Sequence, residues 1–121
     1  MYIEGMLIPV PRKKIKSYIK LAKIFGRVWL DCGALQVVEN QGDDVKKGKI
    51  TSFPHAVKLK AGEVVFFSYV VFKSKSHRNS AHKKLMKDPR VQSMKPEDWP
   101  FDGMRMIFGG FKNSVFMSSK K

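Results

Sequence analysis

The sequence predicts an α+β domain: a four-stranded antiparallel sheet with its helices on one face, in the element order β-α-β-β-α-β. Three observations lead there. Glu63 to Phe72 (EVVFFSYVVF) is short, rich in Val, Phe and Tyr, and bounded by Lys60-Ala61-Gly62 and Lys73-Ser74, which fits a strand better than a helix. Its apolar residues fall on both faces, with Val64, Phe66, Val70 and Phe72 on one and Val65, Phe67, Tyr69 and Val71 on the other. A strand with one wet face alternates apolar and polar, so both faces of this sheet are expected to be covered. Finally, the stretch after Pro11 repeats its apolar residues at helical spacing.

Taken in order, Tyr2 to Val10 reads as the first strand, with Ile3, Leu7 and Pro9 on one face and Tyr2, Glu4, Met6 and Ile8 on the other. Pro11 is placed to start a helix, which is expected from Arg12 to Cys32 with Gly33 as its C-terminal cap. Ile15, Tyr18, Ile19, Ala22, Phe25, Gly26 and Trp29 form its core face, and Leu21, Ile24 and Val28 widen the apolar arc beyond what one sheet needs. Lys16, Lys20, Lys23 and Arg27 make a basic stripe opposite. Ala34 to Glu39 is the second strand. Asn40 to Gly62 is mostly loop, and a loop of that length in a small domain is usually functional or ordered by a partner.

After the central strand comes a polar helix from Ser76 to Lys87, capped by Ser74 or Ser76, with Ala81 and Leu85 buried and Asp88-Pro89 as its stop. Val91 to Met94 is expected to add one turn, and Pro96 to Gly103 is irregular. The last strand runs from Met104 to Phe111, with an extension to Phe116 left open. Gly109-Gly110 inside it signals a bulge or a close backbone approach. The tail Ser118 to Lys121 is expected to fray.

This order is the ferredoxin-like split βαβ unit. Right-handed crossovers make the first and third strands the central pair and put both helices on one face. Nothing left in the chain covers the other face. The sheet of an identical subunit would do so, giving a two-fold homodimer, and the long loop is the alternative cover.

A chain of 121 residues, 43% hydrophobic, has the size and composition of one globular domain spanning residues 1–121. A formal charge of +14 suggests attraction to polyanions, while a solvated lysine surface explains the same number. One cysteine excludes an intrachain disulfide and suits a reducing cytoplasm. No run is apolar enough to span a bilayer, so no membrane partner is expected. At the N-terminus apolar residues precede the basic cluster, the reverse of a secretion signal.

Met1-Tyr2-Ile3-Glu4-Gly5, Thr51 to Lys60 (TSFPHAVKLK), Ser76-His77-Arg78, Asp88-Pro89-Arg90 and Pro100 to Phe111 (PFDGMRMIFGGF) together resemble the YbaA-like family of uncharacterised bacterial proteins. The match spans nearly the whole chain, and its last block is long enough to be specific. The resemblance implies a dimeric α/β-barrel with no established activity. The same superfamily holds cofactor-independent oxygenases and isomerases, a chemistry that could be carried here only by analogy of fold.

The residues themselves limit the chemistry. His77 and His82 are five apart and do not share a helical face, and no acidic or thiol ligand adjoins them, so no metal is expected. Cys32 at a helix C-terminus is a core residue rather than a nucleophile. The glycines match neither a phosphate loop nor a dinucleotide fingerprint, so no cofactor is expected. Glu4 and Arg105 are each a charge within an apolar strand, and two readings stay open: wet strand ends, or a charged pair in a cleft.

The candidate ligand-binding residues are Trp29, His55, Tyr69, His77, Arg78 and Arg105. They would hold an anionic or carbonyl-bearing small molecule by Arg and His hydrogen bonds above an aromatic floor. The competing function is a basic module for RNA or another polyanion, using Lys16, Lys20, Lys23, Arg27 and Lys83-Lys84-Lys87. No ribonucleoprotein-type motif or glycine clamp accompanies those residues, so any nucleic-acid binding is expected to be weak and non-specific.

Overall fold

In the computed structural model, which describes residues 1–119, ten residues of β1 (Tyr2–Pro11) pair antiparallel along their whole length with β3 (Glu63–Phe72). β2 (Gln36–Gln41) lies outside β3 and β4 (Ile107–Lys112) outside β1, giving the antiparallel order β2-β3-β1-β4. The first and third strands are the central pair, as the crossover rule requires.

A 3₁₀ turn over Arg12–Lys14 leads into α1 (Ile15–Asp31), so the first turn of the expected helix is tighter than α. α1 ends at Gly33, whose φ of +117° is a conformation that side chains with a Cβ rarely adopt. Ala34 N–H then bonds back to the Trp29 carbonyl, and β2 begins only at Gln36, two residues later than the sequence suggests. α3 (Lys75–Lys87) is capped by the Ser74 hydroxyl, which accepts from His77 N–H at 3.1 Å. The long loop carries one turn, α2 (Phe53–Ala56), and α4 (Pro89–Gln92) follows Asp88. Arg90 holds the Asp88 carboxyl down at about 2 through its hydrogen bonds. Lys120 and Lys121, part of the tail expected to fray, lie outside the described residues.

The helix-facing side of β3 packs into two adjoining clusters. Ile8, Val10, Tyr18, Val64 and Phe66 form one, and Ala34, Val70, Phe72 and Ala81 the other, with Trp29 against it. The core face of α1 differs in two places from its expected one: Ile19 is 38% exposed, whereas Val28 is fully buried. α1 is bordered by α3 and α4 as well as by β2, so its apolar arc is wider than one sheet demands. The basic stripe Lys16, Lys20, Lys23 and Arg27 points to solvent.

The opposite sheet face is covered in part, with Pro9, Val65 and Val71 buried within the single chain. Gly42, at the start of the long loop, donates its N–H to the Val65 carbonyl and lies close enough that a Cβ would sit 3.2 Å from Val65 Cγ1. Val65 is buried there, but Phe67 (48%), Ile107 (44%) and Phe111 (61%) are open.

No bulge interrupts β4, and of its two glycines Gly110 marks a close approach. A Cβ on Gly110 would fall 2.8 Å from the Tyr2 ring. Gly110→Ala is therefore expected to displace Tyr2 and cost about 2 kcal/mol of stability by overpacking, measured by urea unfolding.

Candidate functional site

Between the sheet and helices α1, α3 and α4 lies a cleft of about 690 Å³. Its floor follows from strand register. One row across the sheet reads Glu39, Ser68, Met6, Phe108, and the next reads Val37, Val70, Glu4, Gly110. The walls are Tyr18, Phe25 and Trp29 from α1, Arg78 and His82 from α3, and Trp99 and Phe101 from the irregular stretch before β4. Three features give the cleft its chemistry.

Glu39 is held at both carboxylate oxygens. Tyr18 donates its hydroxyl to Oε1 and Ser68 donates to Oε2, each at 2.6 Å. Ser68 is wholly buried and Tyr18 nearly so. Burial first, then the neighbouring Glu39 charge and hydrogen bond, raises the Tyr18 phenol above its ordinary value, so Tyr18 remains a donor.

At the far side of the floor Glu4 pairs with the Arg78 guanidinium, and both side chains are largely buried. Arg78 also stacks 5.0 Å over the Tyr2 ring and bonds Asn79 Oδ1 at 2.8 Å. Tyr2 in turn lies where Gly110 lacks a side chain, so this glycine supports the ion pair from below. Strand spacing puts the Cα atoms of Glu4 and Glu39 about 12 Å apart on one floor, from roughly 4.8 Å per strand and 3.3 Å per residue.

Trp99 stacks on Phe101 at 5.4 Å, and Phe101 meets Tyr18 edge-on at 5.8 Å. The Trp99 ring also lies against Gly103, where a Cβ would approach to 3.0 Å. Among the described residues, the indole Nε1 of Trp99 is the one buried side-chain polar atom with no hydrogen-bond partner.

Of the residues singled out in the sequence, Glu4, Trp29 and Arg78 line this cleft, and His55, Tyr69, His77 and Arg105 lie elsewhere. His55 sits in the long loop against the Ser52 hydroxyl. Tyr69 is on the open sheet face, 5.8 Å from Phe67. His77 accepts from Lys73 N–H and packs over Gly33 at the end of α1.

Arg105 forks onto both Glu63 oxygens at 2.8 and 2.7 Å, bonds Asp102 at 2.8 Å and caps the Lys58 carbonyl at 3.0 Å. The Glu4–Arg105 pair, one of the two readings left open, does not form: Glu4 pairs with Arg78 and Arg105 with Glu63. β1 and β4 are neighbours, but their register sets Gly110 opposite Glu4, and Arg105 lies before β4, bonded to Glu63 at the far end of the sheet.

The residues not singled out are Glu39, Ser68, His82 and Trp99. Ser68 carried a signal: it is the one polar residue among Val64, Phe66, Val70 and Phe72 on the helix-facing side of β3. Trp29 and His82 lie 6.1 Å apart with their ring planes tilted by 31°. Cys32 follows α1, and burial followed by the Asp88 charge pushes its thiol up, away from nucleophilic use. Among the described residues no cluster of His, Cys, Asp and Glu could hold a metal, and no helix is long and apolar enough to cross a membrane.

Two solved structures share the fold. An uncharacterized NIPSNAP domain protein from Burkholderia xenovorans aligns over 98% of this chain and all of its own, with a TM-score of 0.58 at 15% identity. Protein Atu4242 from Agrobacterium tumefaciens aligns over 96% of both chains, with a TM-score of 0.57 at 19% identity. The architecture is thus the ferredoxin-like α+β fold, with four antiparallel strands under the helices. The uncharacterized protein YbaA of Escherichia coli K12 is 40% identical over 114 residues, covering 94% of this chain and 97% of its own length, and YbaA of Shigella flexneri matches equally. A family model described as a protein of unknown function (DUF1428) matches residues 1–103. The chain belongs to the DUF1428 family and is similar to the YbaA proteins along nearly its whole length.

Proposed function

We propose that this chain is a homodimeric small-molecule-binding protein whose cleft between helices and sheet takes a largely apolar, carbonyl-bearing ligand. The observation that carries this reading is a 690 Å³ aromatic cleft lined in part by Trp99, whose buried indole N–H has no hydrogen-bond partner. A buried donor left unpaired costs about 1–3 kcal/mol, which a ligand oxygen would recover. An anion fits less well, because Glu4 and Glu39 line the cleft against the single guanidinium of Arg78. Trp29 and His82, Phe25 and Phe101 supply flat apolar walls.

The homodimer covers the open sheet face. Phe67, Ile107 and Phe111 are exposed there, and Val115, Phe116 and Met117 beyond β4 are exposed as well, the kind of apolar surface that marks an interaction site. A second copy presents the same apolar patch, which makes a two-fold contact self-complementary. A cytoplasmic setting accords with the single cysteine.

The two tryptophans of the chain both line the cleft, so intrinsic fluorescence reports occupancy directly. Titration with 4-phenyl-2-butanone is expected to bind more tightly than its alcohol or hydrocarbon analogues. Trp99→Phe is expected to remove about tenfold of that preference, the value of one hydrogen bond to a buried donor. Equal affinity for ketone and hydrocarbon, or no fluorescence change with either, would overturn the reading.

A further inference from the structure

We infer that Glu39 anchors a protonated amine, so that the ligand of this cleft is an apolar molecule with an ammonium group at the Glu39 end. The inference rests on the cleft being a ligand site and names the chemistry of its other end.

The distribution of acids singles Glu39 out. Glu4, Asp31, Glu63, Asp88 and Asp102 each pair with an arginine. Asp43, Asp44, Glu97 and Asp98 lie outside the sheet; like them Glu39 is exposed, but it stands on the edge strand β2 at the rim of the cleft. Glu39 is the acid that stands in the sheet, lines the cleft and has no ion-pair partner among the described residues, in a chain with 24 lysines and arginines. Lys23 and Arg27 border the adjoining groove between α1 and β2, yet neither pairs with it.

Its orientation is also set in advance. The Tyr18 and Ser68 hydroxyls take one lone pair on each oxygen and fix the carboxylate plane, leaving further acceptor capacity on both. Holding a serine hydroxyl in the apolar floor of β3 costs desolvation, and here that hydroxyl serves the carboxylate. The Tyr18, Phe25 and Trp29 rings line the same cleft, and aromatic faces favour a cation beside a carboxylate.

The test titrates 2-phenylethylamine and 2-phenylethanol at neutral pH, by calorimetry and tryptophan fluorescence. In the wild type the amine is expected to bind at least tenfold more tightly, as a charge-assisted contact exceeds a neutral one. Glu39→Gln is expected to abolish the difference, whereas Lys20→Gln, on the solvent face of α1 outside the cleft, leaves it intact. Ser68→Ala, which removes one supporting hydroxyl, is expected to narrow it several-fold and serves if Glu39→Gln does not fold. Equal binding of the two probes, an amine preference that survives Glu39→Gln, or binding of neither overturns the inference. If 4-phenyl-2-butanone still binds through Trp99 while the amine has no advantage, the amine anchor fails and the carbonyl-binding cleft stands.

Discussion

Arg105→Ala is expected to destabilise the chain by about 3 kcal/mol, because removing one member of a largely buried ion pair strands the other. The Arg105 and Glu63 side chains are 14% and 9% exposed. The guanidinium also holds the Asp102 turn and the Lys58 carbonyl, where the chain takes a positive φ of 48°. One side chain thus ties the end of the long loop to the start of β3 and to the approach to β4. A loss of this size lowers Tm by on the order of 10 °C in a chain of this length.

The same contact has an acid signature. Arg105 is the main cause that lowers the Glu63 carboxyl below its ordinary value of 4.5. A carboxyl depressed on folding contributes stability that is fully present above its unfolded value and is lost as pH falls through its folded one. The wild type is therefore expected to lose stability below pH 4.5. Arg105→Ala should show a shallower acid limb, since the largest cause of the depressed Glu63 carboxyl is gone. Urea unfolding at a series of pH values measures both, and a variant with wild-type midpoint at neutral pH would contradict the clamp.

Phe67→Asp combined with Phe111→Asp is expected to convert the proposed dimer into a folded monomer. Both rings lie on the open sheet face and are about half exposed in the single chain, at 48% and 61%, so the fold does not depend on burying them. Phe111 lies over Gly5, its ring 3.3 Å from where a Cβ would be. An interface of standard size buries on the order of 1,600 Å², and its aromatic centre carries much of the affinity. A carboxylate at that centre would weaken association by at least about 100-fold, or roughly 2.7 kcal/mol. Light scattering on a sizing column at micromolar concentration distinguishes the states, with circular dichroism to show that the variant is folded. A wild-type chain that elutes as a monomer contradicts the dimer itself.

The sequence by itself determined the element order, the extent of β3 and the central pairing of β1 with β3. Those features depend on local period and on crossover handedness, and both are written in short stretches such as EVVFFSYVVF. The caps at Ser74 and Gly33 were legible for the same reason, since each acts within a few residues. The tertiary structure alone decided which charges meet. Glu4 is 74 residues from Arg78, and Glu39 is 29 from Ser68 and 21 from Tyr18. A chain with many arginines offers every glutamate several partners, and strand register chooses among them. A two-residue shift in the start of β2 and a three-residue shift in the start of β4 are enough to change which side chains share a row. Trp99 illustrates the same limit: its buried N–H arises from a stretch without periodicity, packed by Gly103 and Phe101, and no local pattern announces it.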